Sequence, residues 1–135
     1  MSDAGIAIVL AHGDLAEALV SAVQLITGRA DRLIPLSNRG LGAAEIDALL
    51  RTRVQETGAS VVFTDMPAGS CSIAAVRMLR ERPGLTVVTG VNLPALLHFA
   101  TCGDAAGGNA SAAAAAAAER GGAAVRALTG SPRGD

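Results

Sequence analysis

Apolar residues in this chain alternate between short continuous runs and longer stretches at helical spacing. Residues 5–11, GIAIVLA, read as a buried strand. Gly13-Asp14 then opens a helix in which Asp14 is the expected N-cap and Glu17 completes a capping-box pattern. Leu15, Leu19, Val23 and Ile26 mark its expected inward face, and Gly28 its stop. A second strand spans 32–37, where Pro35 lacks an N–H and so points to a sheet edge. After the loop NRGLG comes a helix over 43–57, with Ile46, Leu49, Leu50 and Val54 inward. Residues 60–65, SVVFTD, form a third strand buried on both faces. The loop MPAGS leads to a helix over 71–82, with Ser70 as N-cap and Pro83-Gly84 as its end. A fourth strand, 85–90, is followed by a helix over 94–101 that Pro94 starts. Gly103 to Gly108 read as a flexible break. Beyond it lies an Ala-rich helix, then a Gly-Gly hinge and AAVRAL, 123–128, which fits a strand or the last turns of the helix. The ending is expected to be disordered.

Strict strand–helix alternation implies an α/β domain with an open parallel sheet and helices on both faces. Right-handed crossovers leave few topologies, and the common small one has strand order 2-1-3-4. Strands 1 and 3 are then neighbours whose helices leave to opposite faces. The crevice at their C-terminal ends is where ligands bind. The expected organisation is one domain over 1–130 with a tail over 131–135.

Composition narrows the function. Half of the chain is apolar, but aromatics are two Phe, with no Tyr or Trp. The core must be aliphatic, and no platform exists for stacking bases. The net charge is −1, all eleven basic residues are Arg, and no basic stripe marks a nucleic-acid partner. Without Lys, lysine chemistry and a P-loop are excluded. Cys71 and Cys102 are too few and too irregular for a disulfide framework or a zinc site. A signal peptide and a long apolar span are not seen, so the chain reads as soluble and cytoplasmic.

The predicted topology gathers chemistry at one crevice. His12 ends strand 1, Asp65 ends strand 3, and the helix start after MPAGS brings Ser70 and Ser72. A neutral imidazole nitrogen is a good nucleophile at pH 7. A carboxylate on the other ring N–H fixes the tautomer. Helix-start N–H groups receive anionic phosphoryl oxygens. Together they suit phosphoryl transfer onto His12, with no metal or cofactor required. Taken singly, each has a plain structural use: Asp65 and Ser70 can be caps, and a lone histidine can be core. His98, between Leu97 and Phe99, reads as packing or surface, and the Cys71 thiol as structural.

At these residues the chain resembles the enzyme IIA component of the mannose family (mannose/fructose/sorbose type) of the bacterial phosphoenolpyruvate-dependent sugar phosphotransferase system. HGDLAEAL, TDMPAGS and TGVNLPALL match the family's His-Gly start, Asp-x-x-Gly-Gly-Ser loop and Gly-Val-Asn-Leu-Pro segment, in order. The resemblance implies a cytoplasmic phosphocarrier. It takes a phosphoryl group from HPr onto His12 Nε2, with Asp65 on Nδ1. It then passes the group to a histidine of a IIB component on a separate chain, working indirectly with membrane IIC and IID components. Gly69, Ser70, Cys71 and Ser72 are the implied phosphate-binding residues. Gly13, Met66, Pro67 and Asn92 are the expected partner contacts. A homodimer that exchanges the strand 123–128 is also implied. Departures are Ala68-Gly69 for Gly-Gly, Cys71-Ser72-Ile73 for Pro-Phe-Asn, and Pro67 for a bulkier residue. Ala68 raises a question of backbone strain if its φ is positive. The departures leave the IIB partner and the sugar open. Two alternatives remain: a regulatory module of the same fold read through the phosphorylation state of His12, and a dihydroxyacetone-kinase-type phosphotransfer subunit. A flavodoxin-like binding module fits less well, since G-x-G-x-x-G is missing.

Overall fold

The computed structural model describes residues 5–102 and 109–130. Its elements are β1 (Ala7–Ala11), α1 (Leu15–Thr27), β2 (Leu33–Ser37), α2 (Ala43–Thr57), β3 (Val61–Thr64), α3 (Ser70–Glu81), β4 (Thr86–Val88), α4 (Leu93–Cys102) and α5 (Ala110–Ala124). The four strands are all parallel and lie in the order β2-β1-β3-β4. Pro35 sits in edge strand β2, opposite Val9. The break at 103–108 and the tail at 131–135 lie outside the described residues.

Side-chain alternation along the strands builds two apolar layers. Ala7, Val9, Ala11, Val61 and Phe63 face α1, α4 and α5. Ile8, Leu10 and Val62 face α2 and α3. All residues of β1 and β3 are buried. The two phenylalanines meet edge-on at 5.4 Å in the first layer, between β3 and α4. Arg32 stacks over Phe99 and donates to the carbonyls of Phe99 and Ala100, closing the C-terminal end of α4.

Four local expectations change. The buried face of α1 is Ala16 and Val23, with Leu19 and Val20 packed beside them, whereas Leu15 and Ile26 are exposed. The helix is apolar nearly all round, so spacing alone leaves its rotation open by about one residue's turn of the wheel. Asp14 occupies the N-cap position but makes no side-chain cap bond; its carboxylate pairs with Arg39 instead, at 2.7 Å. The N-cap of α3 is Gly69, and Ser70 is the first helical residue.

The Gly-Gly pair is no hinge. Helix α5 runs through it to Ala124, and 125–128 continue exposed and pair with no strand among the described residues. Residues 123–128 are therefore helix end plus extended tail rather than a strand. Gly121 is a close-approach residue: a Cβ there would lie 2.6 Å from Asn92 Oδ1 and 2.9 Å from the Ala95 side chain. Its carbonyl accepts from Asn92 Nδ2 at 2.9 Å. Beside Gly122 nothing lies within 4 Å. Adjacent substitutions should thus act with opposite sign. Gly122→Ala should stabilise by about 0.5–1 kcal/mol through helix propensity, while Gly121→Ala should cost about 1–3 kcal/mol through overpacking. Urea unfolding of the two variants checks this, and equal signs would refute the packing role of Gly121.

Candidate functional site

The register places Leu10 opposite Thr64, so β1 and β3 end side by side and His12 and Asp65 emerge together. Asp65 Oδ2 accepts the backbone N–H of His12 at 3.0 Å and lies 2.8 Å from its ring Nδ1. One oxygen thus holds both the main chain and the ring. Because a carboxylate only accepts, this bond selects the tautomer with the proton on Nδ1 and leaves the lone pair on Nε2. The His12 side chain is 43% exposed and that of Asp65 is 9% exposed. Burial, the largest single influence on Asp65, pushes its pKa up. The two hydrogen bonds from His12 and its charge outweigh burial and hold the carboxyl below its ordinary value.

The loop after Asp65 closes against the ring. Gly69 has φ +98°, a conformation that only glycine holds without strain. A Cβ there would sit 3.6 Å from His12 Cε1 and 3.8 Å from Nε2. Ala68 carries no such strain, since no non-glycine among the described residues has positive φ. The first intrahelical bond of α3 in this turn runs from Ile73 N–H to Gly69 O, at 3.0 Å. The N–H groups of Ser70, Cys71 and Ser72 therefore belong to the open start of the helix that abuts the ring. Open N–H groups at a helix start can receive an anion.

The side chains of that turn do different jobs. Ser70 Oγ accepts weakly from Asn38 Nδ2, at 3.5 Å. The Ser72 hydroxyl is buried and donates to the Met66 carbonyl, with Thr64 Oγ1 2.6 Å away. The Ser72 hydroxyl thus locks the loop, and of this implied phosphate-binding residue only the N–H remains for an anion. The Cys71 thiol is buried 3.9 Å from His12 Nδ1. Burial, aided by the charge of Asp65, pushes its pKa up to about 11, so it is protonated at neutral pH and inert as a nucleophile.

Among the expected partner contacts, Met66 and Pro67 are exposed on the loop. Asn92 instead uses its amide internally: Oδ1 accepts from Ala95 N–H at 3.1 Å and Nδ2 reaches Gly121. His98 is half-buried on α4.

Sequence reasoning passed over Ser37-Asn38-Arg39. These residues leave β2 at the same sheet edge, since Ser37 pairs with Ala11. Ser37 Oγ donates to Gly13 O at 2.7 Å, and Asn38 Oδ1 accepts from Gly13 N–H at 3.2 Å. Asn38 thereby bridges the His12 turn and the start of α3. The signal available was positional: in a 2-1-3-4 sheet, the residue after β2 lies beside the residue after β1. Gly13 itself has φ +60°.

An α/β sheet of this order, with an imidazole held by a carboxylate beside a helix start, belongs to a definite class. Residues 6–117 match the family model described as PTS system fructose IIA component, and the chain belongs to that family. It is a phosphotransfer component of a sugar phosphotransferase system. The mannose/sorbose specific IIA subunit from Enterococcus faecalis is 25% identical and superposes with a TM-score of 0.80, over 93% of this chain and 95% of that one. A phosphotransferase system component EIIA from Streptococcus agalactiae shares the fold at 16% identity, TM-score 0.79, over 90% and 95%. So does a PTS IIA protein associated with the fucose utilization operon from Streptococcus pneumoniae, at 24% identity and TM-score 0.68, over 77% and 82%. No curated protein matches the chain. No helix among the described residues is long and apolar enough to cross a membrane.

The depressed pKa of Asp65 has a consequence for stability. In the window between its folded and its higher unfolded pKa, the unfolded state binds more protons, so stability rises with pH. The contribution is present above the ordinary carboxylate range and is lost as pH falls through the folded value. Asp65→Asn should therefore be less stable than wild type at pH 7, with the gap closing below about pH 4. Denaturant unfolding at both pH values measures the gap; a constant gap would contradict the ionised pairing.

Proposed function

We propose that His12 Nε2 is the phosphoryl acceptor of this IIA component. It takes the group from phospho-HPr and gives it to a histidine of a IIB component, within a system whose IIC and IID parts carry sugar across the membrane. The observation that carries this reading is the Asp65 carboxylate on Nδ1, which leaves the Nε2 lone pair outward beside Gly69 and the start of α3. As Nε2 attacks phosphorus, the bond to the donor nitrogen breaks and the ring becomes cationic. The 2.8 Å contact with Asp65 stabilises that charge. The N–H groups of Ser70, Cys71 and Ser72 receive the phosphoryl oxygens, with the Ser70 hydroxyl beside them. Gly69 keeps the approach open, because a side chain there would press on the ring. Gly13, Met66 and Pro67 lie at the lip where a partner's histidine must come close. Next to them, α3 exposes Ile73 and Val76, an apolar rim suited to protein docking. The family resemblance adds a cytoplasmic homodimer that exchanges the segment 123–128, of which 125–128 extend past α5 with Val125 and Leu128 exposed.

Incubation with enzyme I, HPr and phosphoenolpyruvate should label the wild type with one acid-labile phosphate and leave His12→Ala unlabelled. An unlabelled wild type, or full label on His12→Ala, overturns the assignment. Asn38→Ala should still label, but more slowly, by up to about a hundredfold, because the His12 turn and the α3 start lose their bridge. Rapid-quench transfer from phospho-HPr measures it, and a wild-type rate would remove Asn38 from the site.

A further inference from the structure

We infer that His12, Asp65 and Cys71 form a binding site for a soft divalent cation, zinc above all, whose occupation switches off His12 as a phosphoryl acceptor. The inference rests on the proposed role of His12 and adds a regulation of the same site. One ligand atom from each of these three residues lies within 4.8 Å of the others, and His12 Nδ1 is 2.8 Å from Asp65 Oδ2 and 3.9 Å from Cys71 Sγ. A single zinc ion with bonds of about 2.0–2.3 Å can span such a set after small side-chain shifts. A second observation points the same way. Asp65 Oδ1 is buried and accepts no hydrogen bond from another described residue, on a side chain only 9% exposed. A buried carboxylate oxygen in that state lacks the compensation that a cation would supply.

The donor set defines the ion. A thiolate and an imidazole select zinc over magnesium or calcium, which take oxygen ligands. Thiolate and carboxylate together neutralise a dication, so the occupied site carries no net charge into the interior. Three protein ligands leave a fourth position for water on the exposed side of His12. Cys71 stands where the resembled family commonly has proline, which offers no ligand atom. The site is thus a property of this chain and not of the fold.

Occupation and phosphorylation compete through the imidazole tautomer. The acceptor form has its proton on Nδ1, bonded to Asp65, and its lone pair on Nε2. A metal takes the Nδ1 lone pair, so the ring proton moves through solvent to Nε2, where the nucleophilic lone pair had been. The Cys71 S–H bond breaks, a metal–sulfur bond forms, and that proton leaves to solvent. Each ion bound therefore releases one proton, and no oxidant or reductant is involved.

The test uses the chain with the exposed Cys102 replaced by Ser, so that any thiolate signal belongs to Cys71. Cobalt(II) is titrated for its thiolate charge-transfer absorption. Zinc binding is followed by calorimetry in two buffers of different ionisation heat, which counts the protons. The protein is then loaded with one equivalent of zinc, desalted, and mixed with phospho-HPr. We expect one ion bound with a thiolate band and one proton released. Cys71→Ser and Cys71→Ala should each weaken binding at least about tenfold. Zinc-loaded protein should accept phosphate at least about tenfold more slowly than zinc-free protein, with a chelator restoring the rate. No band, binding undiminished in both Cys71 variants, or transfer by the zinc-loaded protein at the zinc-free rate would each overturn the inference. If neither form accepts phosphate, it is the acceptor assignment that fails, and the spectrum alone then decides the metal site.

Discussion

The carboxylate of Asp65 holding His12 across the β1–β3 junction is the constraint on which the rest of the site depends. Two segments 53 residues apart in the chain converge on one oxygen. A parallel sheet makes this possible, because every strand ends at the same edge and order 2-1-3-4 sets β1 beside β3. The interaction is demanding in turn. A carboxylate this buried is expensive to desolvate, and the hydrogen bonds and charge of His12, with a smaller share from its own backbone N–H, hold its pKa below the ordinary value. The surrounding contacts fix the position of each partner. Ser72, Thr64 and the Met66 carbonyl fasten the loop after Asp65. Ser37 and Asn38 fasten the turn after His12.

The architecture was legible because apolar runs and helical spacing separate cleanly in this sequence. Residues 60–65 read as a doubly buried strand, and Val61–Thr64 within them form buried β3, while Pro35 read as an edge and lies at one. The pairing of His12 with Asp65 followed from topology and not from any local motif. What stayed hidden depends on contacts between distant side chains. The rotation of α1 could not be read from a helix that is apolar nearly all round. Asp14 had every local reason to cap its helix, yet Arg39 from the next loop takes its carboxylate. Gly121 looked like a hinge because glycine usually signals freedom. Here it signals the lack of room between α5 and the turn before α4. Asn38 sat in a loop with nothing to mark it except its place beside β1.

The site also separates what is fixed from what is exposed. His12 and Asp65 are held by hydrogen bonds, and the loop between Asp65 and α3 is locked at both ends. Outside that frame Met66, Pro67, Ile73 and Val76 remain at the surface. Rigid chemistry beside an accessible apolar rim suits a carrier, which must present one atom in a fixed pose to successive protein partners. The substitution Cys71 lies on the rigid side of this division, next to the ring and away from the rim.

The tautomer of His12 is the most direct test of this account. Long-range proton–nitrogen correlation in the labelled, unphosphorylated protein at neutral pH distinguishes a protonated ring nitrogen from a bare one. Nδ1 is expected to carry the proton and Nε2 to show the shift of an unprotonated nitrogen. Asp65→Asn should abolish that preference. A wild-type spectrum with the proton on Nε2 would contradict the central claim that Asp65 makes His12 a nucleophile.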